Sequence, residues 1–80
     1  MVQRTARLRS PADVGLAVQQ ARLARGLTQS ELAADLDMHQ SALSDIEAGK
    51  STIYLRRLLE LARATGIELT ATWSDDAPRG

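Results

Sequence analysis

The sequence predicts an all-α fold, a small helical bundle followed by one carboxy-terminal β-strand. Three observations predict it. Apolar residues recur at helical spacing in several short segments, each with hydroxyl-bearing starts or glycine stops. Phe is absent and Tyr54 and Trp73 are the only aromatics, so the core has to come from Leu, Ile, Val, Ala and Met, which suits short packed helices. After Gly66 the apolar period changes from helical to strict alternation.

Eighty residues make one domain with a thin stability margin. A chain this small usually needs a staple: disulfides, a metal, very regular helix packing or a partner chain. There is no cysteine and a single histidine, His39, so disulfides are excluded and neither a zinc cluster nor any other cofactor is expected. Asp35, Asp37 and His39 are spaced like metal ligands but straddle a helix end and a turn. No apolar run approaches the roughly 18 residues of a membrane span. The arginine-bearing start lacks the apolar stretch of a secretory signal, so a cytoplasmic location is expected.

Ser10-Pro11-Ala12-Asp13 reads as a helix start, with Ser10 as cap, Pro11 at the first helical position and Asp13 at the positive dipole end. Val14, Val18 and Ala21, with Leu16 or Leu23, give the first helix its apolar face, and Gly26 ends it. Thr28-Gln29-Ser30-Glu31 is a capping box that opens a second helix, whose face is Leu32, Ala33 and Leu36. Asp37-Met38 reads as a turn. His39 to Glu47 is a poor helix former, held by Leu43 and Ile46 and stopped at Ala48-Gly49-Lys50. Ser51-Thr52 caps a fourth helix with Leu55, Leu58, Leu59 and Ala62 buried, ending at Thr65-Gly66.

Ile67, Leu69, Ala71 and Trp73 then alternate with polar residues as a strand. A lone strand leaves its backbone groups unpaired. Its partner is either the weakly alternating stretch 2–8 of the same chain or the same strand of a second copy across a two-fold axis. The second is favoured, because it also supplies the missing staple; Ile67, Leu69, Ala71 and Trp73 then form a dimer interface. The expected organisation is a flexible basic arm (1–9), a helical domain (10–66), a dimerisation strand (67–74) and a disordered tail (75–80).

The net charge is zero but unevenly spread. Residues 1–26 hold five arginines against one aspartate, and residues 27–50 hold one lysine against five acids. Two short helices around a tight turn, the second rich in small polar residues, form the pattern of a helix-turn-helix. Its second helix offers Gln40, Ser41 and Ser44, side chains able to hydrogen-bond base edges without bulk.

Residues 26–33 (Gly-Leu-Thr-Gln-Ser-Glu-Leu-Ala) and 40–50 (Gln-Ser-Ala-Leu-Ser-Asp-Ile-Glu-Ala-Gly-Lys) resemble the Cro/CI-type, xenobiotic-response-element helix-turn-helix family, which is lambda-repressor-like in fold. The resemblance spans about residues 13–66. The last helix and following strand further resemble HipB-type antitoxins. The resemblance implies a homodimeric repressor of a palindromic operator, with a HipA-like kinase toxin as a possible partner. It places Thr28 as a cap, Gln29 on a phosphate or against Gln40, and His39, Gln40, Ser41 and Ser44 at base-reading positions. Lys50 and helix amino termini would hold phosphates, and Arg22 and Glu47 would form a brace between helices. Asp37 and Asp45 depart from the family pattern by placing negative charge near DNA; Arg4, Arg7 and Arg9 are expected to compensate as a flexible arm along the backbone or minor groove. The alternative is a protein-interaction module that neutralises a kinase-like toxin with little DNA binding. Catalysis is not expected: there is no glycine-rich phosphate loop and no nucleophile–base set.

Overall fold

The computed structural model describes residues 2–75. The element order is β1 (Gln3–Arg7), α1 (Pro11–Ala24), α2 (Gln29–Asp35), α3 (Gln40–Glu47), α4 (Ile53–Thr65) and β2 (Thr70–Ser74). Each helix begins as its sequence dictates. The Asp13 amide donates to Ser10 Oγ at 3.2 Å, with Pro11 in the first turn. Thr28 and Glu31 close a full capping box, the Glu31 amide donating to Thr28 Oγ1 at 3.1 Å and the Thr28 amide to Glu31 Oε1 at 2.9 Å. The Leu55 amide donates to Thr52 Oγ1 at 3.2 Å. His39 is the N-cap of α3 but its side chain makes no capping hydrogen bond.

Three helices end through the same pair of hydrogen bonds around a left-handed residue. At the end of α1 it is Gly26, at the end of α3 Gly49, and at the end of α2 it is Asp37, with φ of 54°. The Asp37 amide donates to the Ala34 carbonyl and the Met38 amide to that of Ala33. Asp37 therefore occupies a backbone position that most side chains resist and that Asn, Asp or Gly tolerate.

The sheet corrects the expected organisation. β1 pairs antiparallel with β2 inside the chain, with Arg4 opposite Trp73 and Ala6 opposite Ala71. Backbone bonds from Leu8 to Leu69 and from Asp75 to Val2, both 2.8 Å, extend the ladder at its two ends. Residues 3–7 are thus a paired strand and not a free basic arm, and the strand in 67–74 finds its partner within the chain rather than in a second copy. The physical reason is local. Stretch 2–8 pairs with one edge of β2, and its arginines match acids on the other side. Arg4 meets Asp75 at 2.8 Å and Arg7 meets Glu68 at 3.8 Å. Ala71 and Trp73 are half-buried, on the face of β2 that meets α1, whereas Ile67 lies outside the strand and is 58% exposed. Apart from Asp75, the expected disordered tail lies outside the described residues.

The core is small: Ala17, Ala33, Leu43, Leu59 and Ala62 are its buried apolar residues. α1 packs mainly on α3, and α2 on α3. The α1–α3 crossing is made possible by Gly15. A Cβ there would lie 2.7 Å from the Glu47 carbonyl oxygen and closer still to that of Ile46. Several residues expected inside are not. Leu16, Leu23, Leu36, Ile46 and Leu58 are exposed, because the helices approach through small residues and leave the larger ones at the rim. Among the described residues no helix is long and apolar enough to cross a membrane.

Candidate nucleic-acid interface

The central feature beneath the interface is a buried ion pair. Arg22, near the end of α1, reaches Glu47, the last residue of α3, through two parallel bonds. Nε donates to Oε2 at 2.7 Å and Nη2 to Oε1 at 2.9 Å. Both side chains are almost wholly buried. The remaining guanidinium edge donates to the Leu27 carbonyl at 2.7 Å, and the Gln29 amide donates to Glu47 Oε1 at 3.1 Å. The pair thereby ties α1, the α1–α2 loop, the start of α2 and the end of α3 to one point. Hydrogen bonding from Arg22 outweighs the opposing effect of burial and holds the Glu47 carboxyl below its ordinary value; the same contact raises Arg22.

α3 sits on this support with Leu43 buried and its opposite side outward. His39, Gln40 and Ser41 are exposed and Ser44 is half-buried. All four lie within two turns at the amino-terminal side of α3. Thr28 is exposed but its hydroxyl serves the cap, and Gln29 turns its amide nitrogen inward to Glu47 rather than toward Gln40. The neighbour of Gln40 is instead Ser30, whose hydroxyl donates to Gln40 Oε1 at 2.9 Å. In the sequence Ser30 is an inner residue of the Thr28–Glu31 capping box. Nothing in its local pattern shows the contact, which exists only once α2 and α3 cross. Lys50 lies 3.2 Å from Asp45, with both side chains more than half exposed. Such a pair is worth little in water and leaves the ammonium available to exchange onto a phosphate. The arrangement presents one donor–acceptor amide and small hydroxyls on a helix narrow enough for the major groove.

A family model described as Helix-turn-helix matches residues 18–71. The chain belongs to this family. Its helix-turn-helix is the α2–α3 unit, with Asp37-Met38 in the turn, and the domain is a DNA-binding one. Among curated proteins, it is 41% identical over 56 residues to Multiprotein-bridging factor 1 of Candida albicans, covering 70% of this chain and 37% of that protein. It is 31% identical over 61 residues to the Endothelial differentiation-related factor 1 homolog of Gallus gallus, covering 76% and 41%. It is also 32% identical over 63 residues to the Uncharacterized HTH-type transcriptional regulator y4mF of Sinorhizobium fredii, covering 79% of this chain and 83% of that protein. The chain thus spans less than half of the fungal and avian relatives but most of the bacterial one. No solved structure matches the chain.

Proposed function

We propose that the chain is a sequence-specific transcriptional repressor that binds a palindromic operator as a homodimer, with α3 as the reading helix. The observation that carries this is the outward set His39, Gln40, Ser41 and Ser44 on a helix whose inner side is fixed by Leu43 and the Arg22–Glu47 pair. Gln40 is suited to the N6–N7 edge of adenine, and Ser41 and Ser44 to either donors or acceptors. Thr28, Gln29 and Lys50 flank the reading residues and are assigned to the phosphate side, which orients the protein without reading sequence. The relation to a bacterial regulator of similar extent supports a role in transcription.

The dimer is assigned to α4 rather than to β2. Tyr54, Leu58 and Leu61, at i, i+4 and i+7, form one apolar stripe that is 78%, 44% and 61% exposed. A two-fold contact through this stripe is the proposed link between two reading helices, and a helix-turn-helix dimer reads half-sites about one DNA turn, roughly 34 Å, apart. An antitoxin role beside a kinase-like toxin is the narrower version that the HipB-type resemblance implies; co-purification with the product of an adjacent gene tests it.

Selection from a library of random duplexes tests the main reading. It predicts enrichment of one palindromic sequence by the full chain, and loss of that enrichment on charge insertion into the stripe (Leu58→Asp, Leu61→Asp). Enrichment of no sequence would overturn the repressor reading. Enrichment of a single half-site by a monomer would overturn the dimer.

A further inference from the structure

A cleft runs along the side of α4 away from the Tyr54–Leu61 stripe. Its first part, about 380 Å³, lies between residues 9–11 and the first three turns of α4; its second, about 270 Å³, continues past the end of that helix toward Leu69. The two parts share Arg9, Leu59 and Arg63, so they form one channel along a helix about 20 Å long.

The walls and floor differ in chemistry. The lining contains five arginines (7, 9, 56, 57 and 63) against two glutamates, a surplus of three positive charges. Arg57 is held by Glu60 at 3.4 Å and Arg7 by Glu68 at 3.8 Å. Among the described residues, the guanidiniums of Arg9, Arg56 and Arg63 have no carboxylate partner. Beneath them the floor is apolar, made by Pro11, Leu59 and Ala62, with Ile53 and Ile67 at the two ends. Unpaired guanidiniums over an apolar trough call for a ligand with carboxylates along its edge and apolar side chains below.

We infer that this cleft docks an acidic amphipathic peptide segment of another protein. DNA fits it less well: a phosphate backbone would answer the arginines but has nothing to cover the exposed Ile53 and Ile67. A second copy also fits poorly. Of the five acids in its own residues 27–50, Glu47 is buried with Arg22, Glu31 closes a capping box and Asp45 lies against Lys50, so only Asp35 and Asp37 are left exposed outside these contacts, too few to line an edge of three guanidiniums. The inference is independent of the DNA-reading face, because it involves none of the outward residues of α3.

The test uses the full chain and synthetic peptides about 15 residues long, near the length at which an isolated helix begins to hold. One peptide alternates Glu and Leu at helical spacing, one has Gln for every Glu, and one has Ser for every Leu. Amide shifts and fluorescence anisotropy are recorded for each. The Glu/Leu peptide is expected to shift amides in 7–11 and 53–67 and to bind at least about tenfold more tightly than either control. The double variant Arg56→Glu/Arg63→Glu should lose at least about tenfold in peptide affinity while Arg56→Gln/Arg63→Gln loses less. The glutamine pair also serves if the reversed pair fails to fold. Equal binding of the Gln peptide, or no shifts in the cleft, would overturn the proposal. So would a glutamine pair that leaves peptide binding intact but flattens the salt dependence of random-duplex binding, which marks the cleft as a phosphate contact. A change in sedimentation mass of the same variant without peptide would assign the cleft to a second copy.

Discussion

Replacing Glu47 with Ala removes the carboxylate that anchors four parts of the chain. Arg22 then stays buried, with only the Leu27 carbonyl as a partner. The magnitude follows from two routes. Two charge-assisted hydrogen bonds at about 1.5–3 kcal/mol each give about 3–6 kcal/mol. Breaking one side of a buried ion pair costs about 3–5 kcal/mol, because the surviving charge is left uncompensated. For a domain this size that is a large part of a total stability of about 5–15 kcal/mol. It corresponds to a fall in Tm of about 12–40 °C. Urea and thermal unfolding followed by circular dichroism at neutral pH measure it. The double replacement Arg22→Met/Glu47→Leu removes both charges and should cost less than Glu47→Ala alone, although Gln29 and Leu27 then each lose a partner. A Glu47→Ala protein within about 1 kcal/mol of the parent would refute the view that this pair holds α3 in place.

Three other outcomes follow from the same geometry. Gly15→Ala pushes a methyl group into the carbonyls of Ile46 and Glu47 and should destabilise by about 1–3 kcal/mol, despite the better helix propensity of alanine; calorimetry decides, and a stabilised variant would contradict the crossing. Asp37→Gly relieves a left-handed residue and removes a negative charge beside the reading helix. It should raise stability by about 1 kcal/mol and strengthen DNA binding at low salt, read from melting and anisotropy. The Glu47 carboxyl is lowered in the folded state, so the stability it lends is complete above its ordinary value of 4.5 and is lost as pH falls through the lowered one. Unfolding titrations should show that acid-side loss in the parent and a shallower one in Glu47→Gln.

The helices were legible because their signals are local. Ser10, Thr28 and Thr52 act on amides three residues away, and Gly26 and Gly49 end helices by backbone conformation, so both can be read from a few adjacent letters. The pairing of β2 was not legible. Alternation marks a strand without naming its partner, and the match of Arg4 with Asp75 and Arg7 with Glu68 is made across more than sixty residues of chain. Side-chain burial was only partly legible, since Leu16 and Leu36 fit a helical stripe as well as Ala17 and Ala33 do. On α1 it was the face of Gly15, in close approach to α3, that turned inward. A mid-helix glycine, costly by about 1 kcal/mol relative to alanine, was the available signal for that approach. At the candidate interface the sequence pointed to the residues that face outward on α3, but not to the Ser30–Gln40 contact or to Gln29 turning inward, both of which depend on how α2 meets α3.

The most direct measurement compares the parent and Gln40→Ala on the enriched duplex and on random duplex, each across a salt series. The variant is expected to fold normally and to lose about 1–3 kcal/mol, roughly 5–150-fold, on the specific site. Its binding to random duplex and its salt slope should be unchanged, since Gln40 carries no charge. Undiminished affinity for the specific site, or an equal loss on both duplexes, would contradict the assignment of α3 as the helix that reads the bases.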